Sequence, residues 1–134
     1  MEKSLVIIKP DGVSKKVVGK IITYFENQDL NIEKLKIMKI SRELACKHYH
    51  EHRDKDFFKQ LLEYITSGNV AVMVISGYNA IKKIRDIMGP TDPKKAKTGT
   101  IRGDYGTDIT VNVVHGSDSK ESAAREIKLF FCEE

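Results

Sequence analysis

Apolar residues in this chain occur in short runs and helical spacings that predict alternating strands and helices. Leu5–Ile8 and Val70–Ile75 are short and wholly apolar, as expected for strands buried on both faces. Ile32–Ile40 mixes β-branched residues with partial alternation and is interpreted as a third strand. A fourth strand is predicted at Ile109–Val114, immediately before His115.

Helical spacing or boundary signals mark four further segments. The predicted helices are Val17–Phe25, Ser41 to about His52, Phe57–Thr66 and Asn79–Met88. A last helix is predicted to begin at Asp118 or Ser119, since either side chain can cap it. Its inward face then carries Ala123, Ile127 and Phe130.

Two segments are predicted to lack regular structure. Lys9–Gly12 follows the first strand with a Pro-Asp-Gly turn signal. Gly89 to about Thr107 contains glycines, prolines and charges but little apolar periodicity, and so long a loop is usually functional or disordered. Short strands that alternate with helices favour an α+β sandwich. The length of 134 residues suits one domain over residues 1–134.

Composition narrows the class of protein. With 40% hydrophobic and 31% charged residues, the chain has an ordinary globular mixture, and its apolar runs fall far short of the ~20 residues of a spanning helix. The opening segment is interpreted as a strand and not a signal peptide, because Pro10 follows only four apolar residues. Cys46 and Cys132 form no CxxC pair, which indicates free thiols in a reducing compartment and predicts a cytoplasmic location.

The charge balance points to anionic ligands without identifying them. Lysine and arginine number 23 against 19 acidic residues, a formal net charge of +4. An excess of this size suits polyanions such as nucleotides but does not by itself mark a nucleic-acid binder. Gly12–Lys20 resembles a P-loop only superficially, because its glycines are too far apart and Ile21 follows the lysine. Any nucleotide is therefore expected to bind without a glycine-rich loop.

The segment Asn112–Ser119 carries the strongest chemical signal. His115 is predicted to stand where a strand ends and a helix begins, a position from which a rigid scaffold presents a reactive side chain. A neutral imidazole is nucleophilic, and its ordinary pKa of ~6.5 leaves most of it neutral near pH 7. Ser117 can hydrogen-bond a neighbouring group, and Glu126 in the following helix can hold the ring in one tautomer. The alternative is a capping or core histidine satisfied by a backbone carbonyl.

Cationic residues accompany this segment elsewhere in the sequence. Lys9 ends the first strand, Arg85 lies on the helix before the long loop, and Arg102 lies within that loop. Phosphoryl transfer depends mainly on positioning and on positive charge around the moving group. Each cation alone is more simply explained as a solvated surface charge. Together with the histidine, they favour a phosphate site.

Four segments taken together resemble the nucleoside diphosphate kinase family. They are VIIKPDG near the start of the chain, GPTDP, GTIRGD and NVVHGSDS, in the family's order and spacing, and the similarity runs from about Ser4 to Phe131. The HGSDS segment is highly specific, and the other three are jointly strong. The resemblance implies a ferredoxin-like sandwich with a four-stranded antiparallel sheet covered by helices. It also implies ping-pong transfer of the γ-phosphoryl of a nucleoside triphosphate to a nucleoside diphosphate through phosphorylated His115.

The resemblance further implies a role for each matching residue. Lys9 corresponds to a lysine near the sugar and phosphates, and Asn112 to the residue that contacts the ribose hydroxyl. Phe57 corresponds to the aromatic platform for the base, with Leu61 one helical turn on in the same slot, whereas Phe58 is expected to pack in the core. The residues that correspond to phosphate ligands are Arg85, Thr91 and Arg102. Those that correspond to catalytic neighbours of the active histidine are Tyr49, Ser117 and Glu126.

The same resemblance implies the cofactor and the partners. Mg²⁺ is expected to be held mainly through the nucleotide phosphates, without protein metal ligands, because Mg²⁺ keeps few protein ligands in such sites. The ligands are nucleoside triphosphates and diphosphates, with no membrane and no obligatory nucleic acid. A homo-oligomer assembled from dimers, a tetramer or a hexamer, is the family expectation. The residues do not indicate which imidazole nitrogen is attacked, because that depends on hydrogen bonds.

Two other functions are compatible with parts of the sequence. His48–His52 contains H-x-x-E-H, a zinc-hydrolase signature in which two histidines one helical turn apart share a metal. No third ligand with supporting context follows it in the sequence. A non-catalytic or nucleic-acid-binding module on the same fold is the second alternative. The lysines that would meet nucleic-acid phosphates are Lys94, Lys95 and Lys97.

Overall fold

The computed structural model describes residues 1–131, so that Cys132 lies outside the described residues, and Cys46 is a free thiol as expected. The strands are β1 (Glu2–Ile8), β2 (Asn31–Lys39), β3 (Asn69–Gly77) and β4 (Val114–Gly116). The helices are α1 (Pro10–Ser14), α2 (Val18–Glu26), α3 (Arg42–His48), α4 (Phe58–Ile65), α5 (Ala80–Met88), α6 (Ile101–Tyr105) and α7 (Lys120–Phe131). Short 3-10 helices occupy His50–His52 and Pro93–Lys95. Within residues 1–131, every helix is too short or too polar to span a bilayer.

The four strands form one antiparallel sheet in the order β2-β3-β1-β4. The two central strands, β1 and β3, are apolar and buried along almost their whole length. In β1, Leu5 stands opposite Val74 of β3, and Ile7 stands opposite His115 of β4. The sheet confirms the predicted four-stranded antiparallel arrangement and gives His115 a fixed place beside the central strand.

Helices cover both faces of the sheet, because side chains of a strand alternate between its faces. Val6 and Ile8 of β1 pack in one core with residues of α2 and α5, while Leu5 and Ile7 pack in a second core with residues of α3, α4 and α7. This two-faced packing gives an α+β sandwich of ferredoxin-like form, as predicted. The predicted inward face of the last helix is also confirmed, with Ala123, Phe130 and the partly buried Ile127 against the sheet.

Two of the predicted local structures near the first strand and the third helix are wrong in detail. Residues 10–14 form α1 and not an open turn, since Pro10 at the first helical position is already set to a helical φ and lacks only an unneeded N–H. The stretch from Ser41 to His52 is not one helix. Ser41 caps α3 by accepting from the Leu44 N–H at 3.1 Å, but α3 ends at His48 and the chain continues as a 3-10 helix.

The predicted strand at Ile109–Val114 is wrong. Strand β4 begins at Val114 and contains His115, so the histidine lies within the strand and not beyond its end. The side chain of Asp108 accepts from the N–H groups of Thr110 at 2.8 Å and Val111 at 2.7 Å, which folds these residues into an Asx turn. The β-branched residues after Asp108 thus form a turn and not a strand, because the Asp108 side chain accepts hydrogen bonds from their backbone N–H groups.

The segment from Gly89 to Thr107 is more regular than predicted. It contains the second 3-10 helix and α6, whose N-terminus is capped by Thr100 through a 3.1 Å hydrogen bond from the Gly103 N–H. A short helix with a glycine inside it has little apolar periodicity. This cap places Arg102 in the first turn of α6, where the side chain is buried.

Candidate active site

His115 lies in the middle of β4 with its side chain partly open to solvent. The side chain is 22% exposed, whereas that of Glu126 on α7 is 6% exposed. Nε2 of His115 and Oε1 of Glu126 are 3.0 Å apart. A carboxylate oxygen accepts hydrogen bonds, so this contact places the ring hydrogen on Nε2 and leaves the lone pair on Nδ1. The nitrogen left available for attack is therefore Nδ1.

Ser117 ties Glu126 and His115 to the central strand. Its hydroxyl donates to the same Glu126 oxygen at 2.7 Å and accepts from the backbone N–H of Leu5 at 3.1 Å. Its own N–H donates to the carbonyl of Leu5 at 3.2 Å. Gly116, between His115 and Ser117, cannot carry a side chain, because a Cβ there would lie 2.9 Å from atoms of two α5 side chains. The nucleophile and its carboxylate partner are thus held by the core of the sheet.

His48 at the end of α3 contacts the ring of His115, and Tyr49 lies next to His48. The ring of His48 meets that of His115 edge to face, with 4.7 Å between centroids, and lies 4.6 Å from the ring of Tyr49. His48 is 5% exposed, and burial holds its pKa well below the ordinary histidine value. Burial likewise raises the pKa of the Tyr49 phenol, with a smaller contribution from Glu126. Both rings are therefore neutral near pH 7.

Lys9 and Asn112 form the next part of the site. Lys9 Nζ donates to Oδ1 of Asn112 at 2.7 Å, and the Asn112 amide nitrogen donates to the carbonyl of Thr91 at 3.1 Å. Burial, together with the positive charge of Arg102, lowers the pKa of Lys9 to about 7, while Asp11 acts in the opposite direction. The lysine is held by an amide oxygen and not by an ion pair. A bound anion would supply the missing negative charge.

A strained residue precedes the nucleophile. Val113 has φ of +77°, a conformation that is an outlier for a β-branched residue and costs about 1–3 kcal/mol. The N–H of Val114 bonds back to the carbonyl of Asn112 at 2.9 Å, and the carbonyl of Val113 accepts from the N–H of Lys9 at 2.6 Å. This tight turn allows Asn112 to face Lys9 while the following residues enter β4.

The three predicted phosphate ligands line one cleft of about 590 Å³. Arg85 comes from α5, Thr91 from the segment after it, and Arg102 from α6. Arg102 is anchored by hydrogen bonds to the carbonyls of Gly89 at 3.0 Å and Val114 at 2.8 Å. Its burial, and the charge of Arg85, lower the pKa of Arg102 to about 10, which still leaves it cationic near pH 7. Other residues of the cleft wall include Lys95, Lys97 and Thr100.

Phe57 and Leu61 lie at the start of α4. Phe57 is 43% exposed, whereas Leu61 and Phe58 are partly buried against the second core, as predicted for Phe58. The Phe57 ring lies 5.6 Å from that of His52, which lies 6.2 Å from that of Tyr49. With the contacts of His48 described above, a row of five rings connects Phe57 to His115.

The structure brings most of the predicted residues together and adds His48, which the sequence analysis does not place at the site. His48 was considered only as part of the H-x-x-E-H motif, yet it contacts the candidate nucleophile directly. Its sequence position, immediately before Tyr49, was the available signal. The motif itself lacks the helical geometry it needs, because α3 ends at His48 before His52 is reached. Among the described residues, the cluster able to hold a metal ion joins His48 to His115 and Glu126.

The arrangement suits transfer of a phosphoryl group to the imidazole. The His115 ring has a free Nδ1 lone pair, and the buried Arg102, which lines the cleft with Arg85, bonds to the carbonyl of the preceding residue, Val114. Phosphates carry negative charge that complements the arginines of this cleft. Positive groups fixed in advance around a transferring phosphoryl group stabilise its transition state.

The chain is similar over nearly its full length to one family of enzymes. The family model described as nucleoside diphosphate kinase matches residues 2–134. A nucleoside diphosphate kinase of Carboxydothermus hydrogenoformans is 55% identical over 134 residues, which are 100% of this chain and 90% of that protein. The structure of nucleoside diphosphate kinase from Encephalitozoon cuniculi matches with a TM-score of 0.97 at 38% identity, covering 99% of this chain and 90% of the other. A halophilic nucleoside diphosphate kinase from Halobacterium salinarum in complex with CDP has a TM-score of 0.95 at 46% identity, covering 98% and 88%.

Proposed function

Because this chain belongs to the nucleoside diphosphate kinase family, we propose that His115 is the residue that carries the phosphoryl group between its two nucleotides. The enzyme transfers the γ-phosphoryl of a nucleoside triphosphate to a nucleoside diphosphate in a ping-pong reaction. The observation that carries the assignment is the 3.0 Å contact between Nε2 of His115 and Glu126, which leaves the lone pair on Nδ1 in a side chain that is partly open to solvent.

In the first half-reaction, the Nδ1 lone pair of His115 attacks the γ-phosphorus. The bond from Nδ1 to phosphorus forms as the bond from phosphorus to the bridging oxygen breaks, and the electron pair leaves with the nucleoside diphosphate. The ring, still protonated at Nε2, becomes cationic, and the Glu126 carboxylate at 3.0 Å stabilises that charge. Ser117 holds the same carboxylate oxygen in place at 2.7 Å. The second nucleoside diphosphate reverses these steps.

The phosphates are proposed to bind in the cleft beside His115. Arg85, Thr91 and Arg102 line it, and the buried ammonium of Lys9 lies close by, bonded to Asn112. These groups place positive charge where the phosphoryl oxygens gain negative charge. We propose that Asn112 and Lys9 also contact the ribose, and that Tyr49 fixes the position of the His48 and His115 rings.

The base is proposed to stack on Phe57, with Leu61 beside it. Phe57 is the half-exposed ring at the start of α4 and is connected to His115 through the row of aromatic rings. Stacking depends on a π-face that every base has, so it tolerates changes of base. The Halobacterium relative was solved in complex with CDP, which supports nucleotide binding by this chain.

Mg²⁺ is proposed as the cofactor and is expected to be held by the nucleotide phosphates. The cluster of His48, His115 and Glu126 offers two imidazoles and one carboxylate, whereas Mg²⁺ prefers an octahedral set of oxygens. This cluster therefore does not fit Mg²⁺, and phosphate oxygens do. Bound there, the ion would neutralise charge on the triphosphate.

A homo-oligomer built from dimers, a tetramer or a hexamer, is also proposed. Strand β2 is at one edge of the sheet and exposes Leu35 at 49% and Ile37 at 56%. An apolar edge strand is a ready site for pairing with a second copy. The cytoplasmic location remains a proposal that rests on the cysteine usage of the sequence. Of the three lysines that favour the nucleic-acid-binding alternative, Lys95 and Lys97 line the cleft assigned to the nucleotide phosphates.

The experiment that tests the assignment of His115 is incubation with terminally labelled ATP and Mg²⁺, without an acceptor. We expect one acid-labile phosphoryl group per chain, located at His115 by peptide mapping and discharged by GDP or CDP. His115→Ala should take up no label while retaining nucleotide binding, and His50→Ala, which removes an exposed histidine, should be labelled normally. Label that persists in His115→Ala would contradict the assignment.

A further inference from the structure

His48 is a buried imidazole with unused hydrogen-bonding capacity. It is 5% exposed, and within residues 1–131 neither of its ring nitrogens has a hydrogen-bond partner. Leaving a buried polar group unpaired costs about 1–3 kcal/mol. The phosphotransfer steps described above assign no proton or charge to His48. Those steps therefore do not explain why an unpaired imidazole is buried at this position.

The neighbours of His48 supply two more groups of the kind that bind transition metals. A ring nitrogen of His48, a ring nitrogen of His115 and a carboxylate oxygen of Glu126 all lie within 4.8 Å of one another. In a tetrahedral zinc site with bonds of about 2.0–2.1 Å, ligand atoms are separated by about 3.3 Å. Nε2 of His115 and Oε1 of Glu126 are already 3.0 Å apart, so closing the site mainly requires the His48 ring to approach them, by up to about 1.5 Å from the 4.8 Å limit.

We propose that His48, His115 and Glu126 form a binding site for Zn²⁺ or a similar transition-metal cation, and that the bound ion prevents phosphorylation of His115. The second part rests on the proposed role of His115 as the phosphoryl carrier. Two histidines and one carboxylate are a common protein ligand set for Zn²⁺, with a fourth position open to water. The opening at His115, whose side chain is 22% exposed, provides the route of entry.

The inhibitory effect follows from the electron count of the imidazole. A neutral ring has one N–H and one lone pair. When the ion coordinates either ring nitrogen of His115, it takes that lone pair, and the hydrogen occupies the other nitrogen. No lone pair then remains for phosphorus, so metal binding and phosphorylation exclude each other. Ser117, which donates to Glu126 at 2.7 Å, would orient the carboxylate ligand.

The choice of metal follows from the donor atoms. Imidazole nitrogen suits Zn²⁺ and other late first-row ions, whereas Mg²⁺ requires oxygen ligands. Millimolar Mg²⁺ should therefore leave the Zn²⁺ affinity unchanged. This separates the proposed site from the Mg²⁺ that accompanies the nucleotide.

Calorimetric titration of the metal-free full chain with Zn²⁺, in the absence of nucleotide, measures the site directly. We expect one Zn²⁺ bound per chain through this cluster. His48→Phe keeps a ring against Tyr49 and Phe130 but removes the ligand nitrogens, and it should raise the Kd at least about tenfold. His50→Phe, in the exposed part of the same sequence motif, is the matched control and should leave the Kd unchanged. Equal Zn²⁺ affinities in wild type, His48→Phe and His50→Phe would contradict the proposed metal site.

A measurement on wild type alone covers the case in which His48→Phe fails to fold. Chains first phosphorylated with ATP and Mg²⁺ and then freed of nucleotide should lose the Zn²⁺ site, and discharge with GDP should restore it. At free Zn²⁺ fixed by a chelator buffer, the rate of phosphohistidine formation should fall in proportion to site occupancy and recover on chelation. Unchanged Zn²⁺ binding after phosphorylation would overturn the proposed exclusion. Zn²⁺ binding without any phosphorylation of His115 would instead contradict the proposed function and leave the metal site standing.

Discussion

Nζ of Lys9 donates a 2.7 Å hydrogen bond to Oδ1 of Asn112, which lies 103 positions further along the chain. The lysine is 6% exposed, and burial lowers its pKa to about 7. The pair joins the end of β1 to the turn before β4. Because a neutral amide and not a carboxylate holds Nζ, the charged form of Lys9 gains a compensating negative charge only when an anion binds.

Nucleotide binding should therefore take up a proton. At pH 8, a lysine with a pKa of about 7 is mostly neutral, and nearby phosphates raise that pKa again. We expect uptake of up to about one proton per nucleotide bound, measured as a buffer-dependent heat in calorimetry. The uptake should disappear in Lys9→Met and persist in Lys3→Met, which changes an exposed lysine of the same strand. A binding heat that is equal in all buffers for wild type would contradict this account.

The same lysine should make stability rise with pH in the alkaline range. Its pKa is about 7 when folded and near 10.5 when unfolded, so between these values the unfolded chain binds more protons. Charged Lys9 thus opposes folding fully below pH 7, and the penalty disappears as the pH approaches 10.5. Urea unfolding should show wild type gaining several kcal/mol over Lys9→Met across this interval, since one pKa unit corresponds to about 1.4 kcal/mol. A stability difference that is constant with pH would disprove the assignment.

Glu126→Gln should slow phosphorylation of His115 without unfolding the protein. The amide retains an oxygen acceptor of the same shape but lacks the negative charge that stabilises the cationic ring. Hydrogen bonds to charged groups are worth about 1.5–3 kcal/mol, so we expect a rate about 10- to 150-fold lower. Rapid-quench measurement of the labelled chain checks this. Glu121→Gln, at an exposed position of the same helix, should retain the wild-type rate.

Phe57→Ala should weaken nucleotide binding with little effect on stability. Stacking of a base on an aromatic ring is worth about 1–3 kcal/mol, which corresponds to an affinity about 5- to 150-fold lower. Purine and pyrimidine nucleotides should both lose affinity, since the contact is to the π-face. Calorimetric titration measures this, with Tyr78→Ala as the control because Tyr78 is an 83% exposed ring outside the site. Unchanged affinity in Phe57→Ala would remove Phe57 from the base site.

The sequence predicted the elements whose formation depends on hydrophobic periodicity. Apolar patterns, together with boundary signals, locate strands β1, β2 and β3 and helices α2, α4 and α5. The start of β4 and helix α6 are missed because side-chain hydrogen bonds decide them, whereas α1 depends on Pro10 at its first helical position. Asp108 turns an apolar run away from the sheet, and Thr100 caps a helix that contains glycine. Such bonds leave no periodic signal in the sequence.

The candidate site residues were available from the sequence because they lie in short, specific segments. The position of His48 beside His115 was not, since it depends on how α3 packs against β4 and α7. The identity of the attacking nitrogen was also out of reach, because Glu126 approaches Nε2 only once α7 is placed. In both cases, the missing information is the relative placement of elements distant in the chain.

The hydrogen bonds of Ser117 affect how fast amide hydrogens around the site exchange with solvent. Its three bonds to Leu5 and Glu126 attach the residue after the nucleophile to the most deeply buried strand. The amides of β1, which lies inside the sheet, are expected to exchange only through global unfolding, whereas the segment that carries the exposed Thr91 is expected to open locally. Through Ser117, the nucleophile is thus attached to a strand that is expected to exchange slowly. The phosphate-binding side can rearrange around different nucleotides while the position of His115 is preserved.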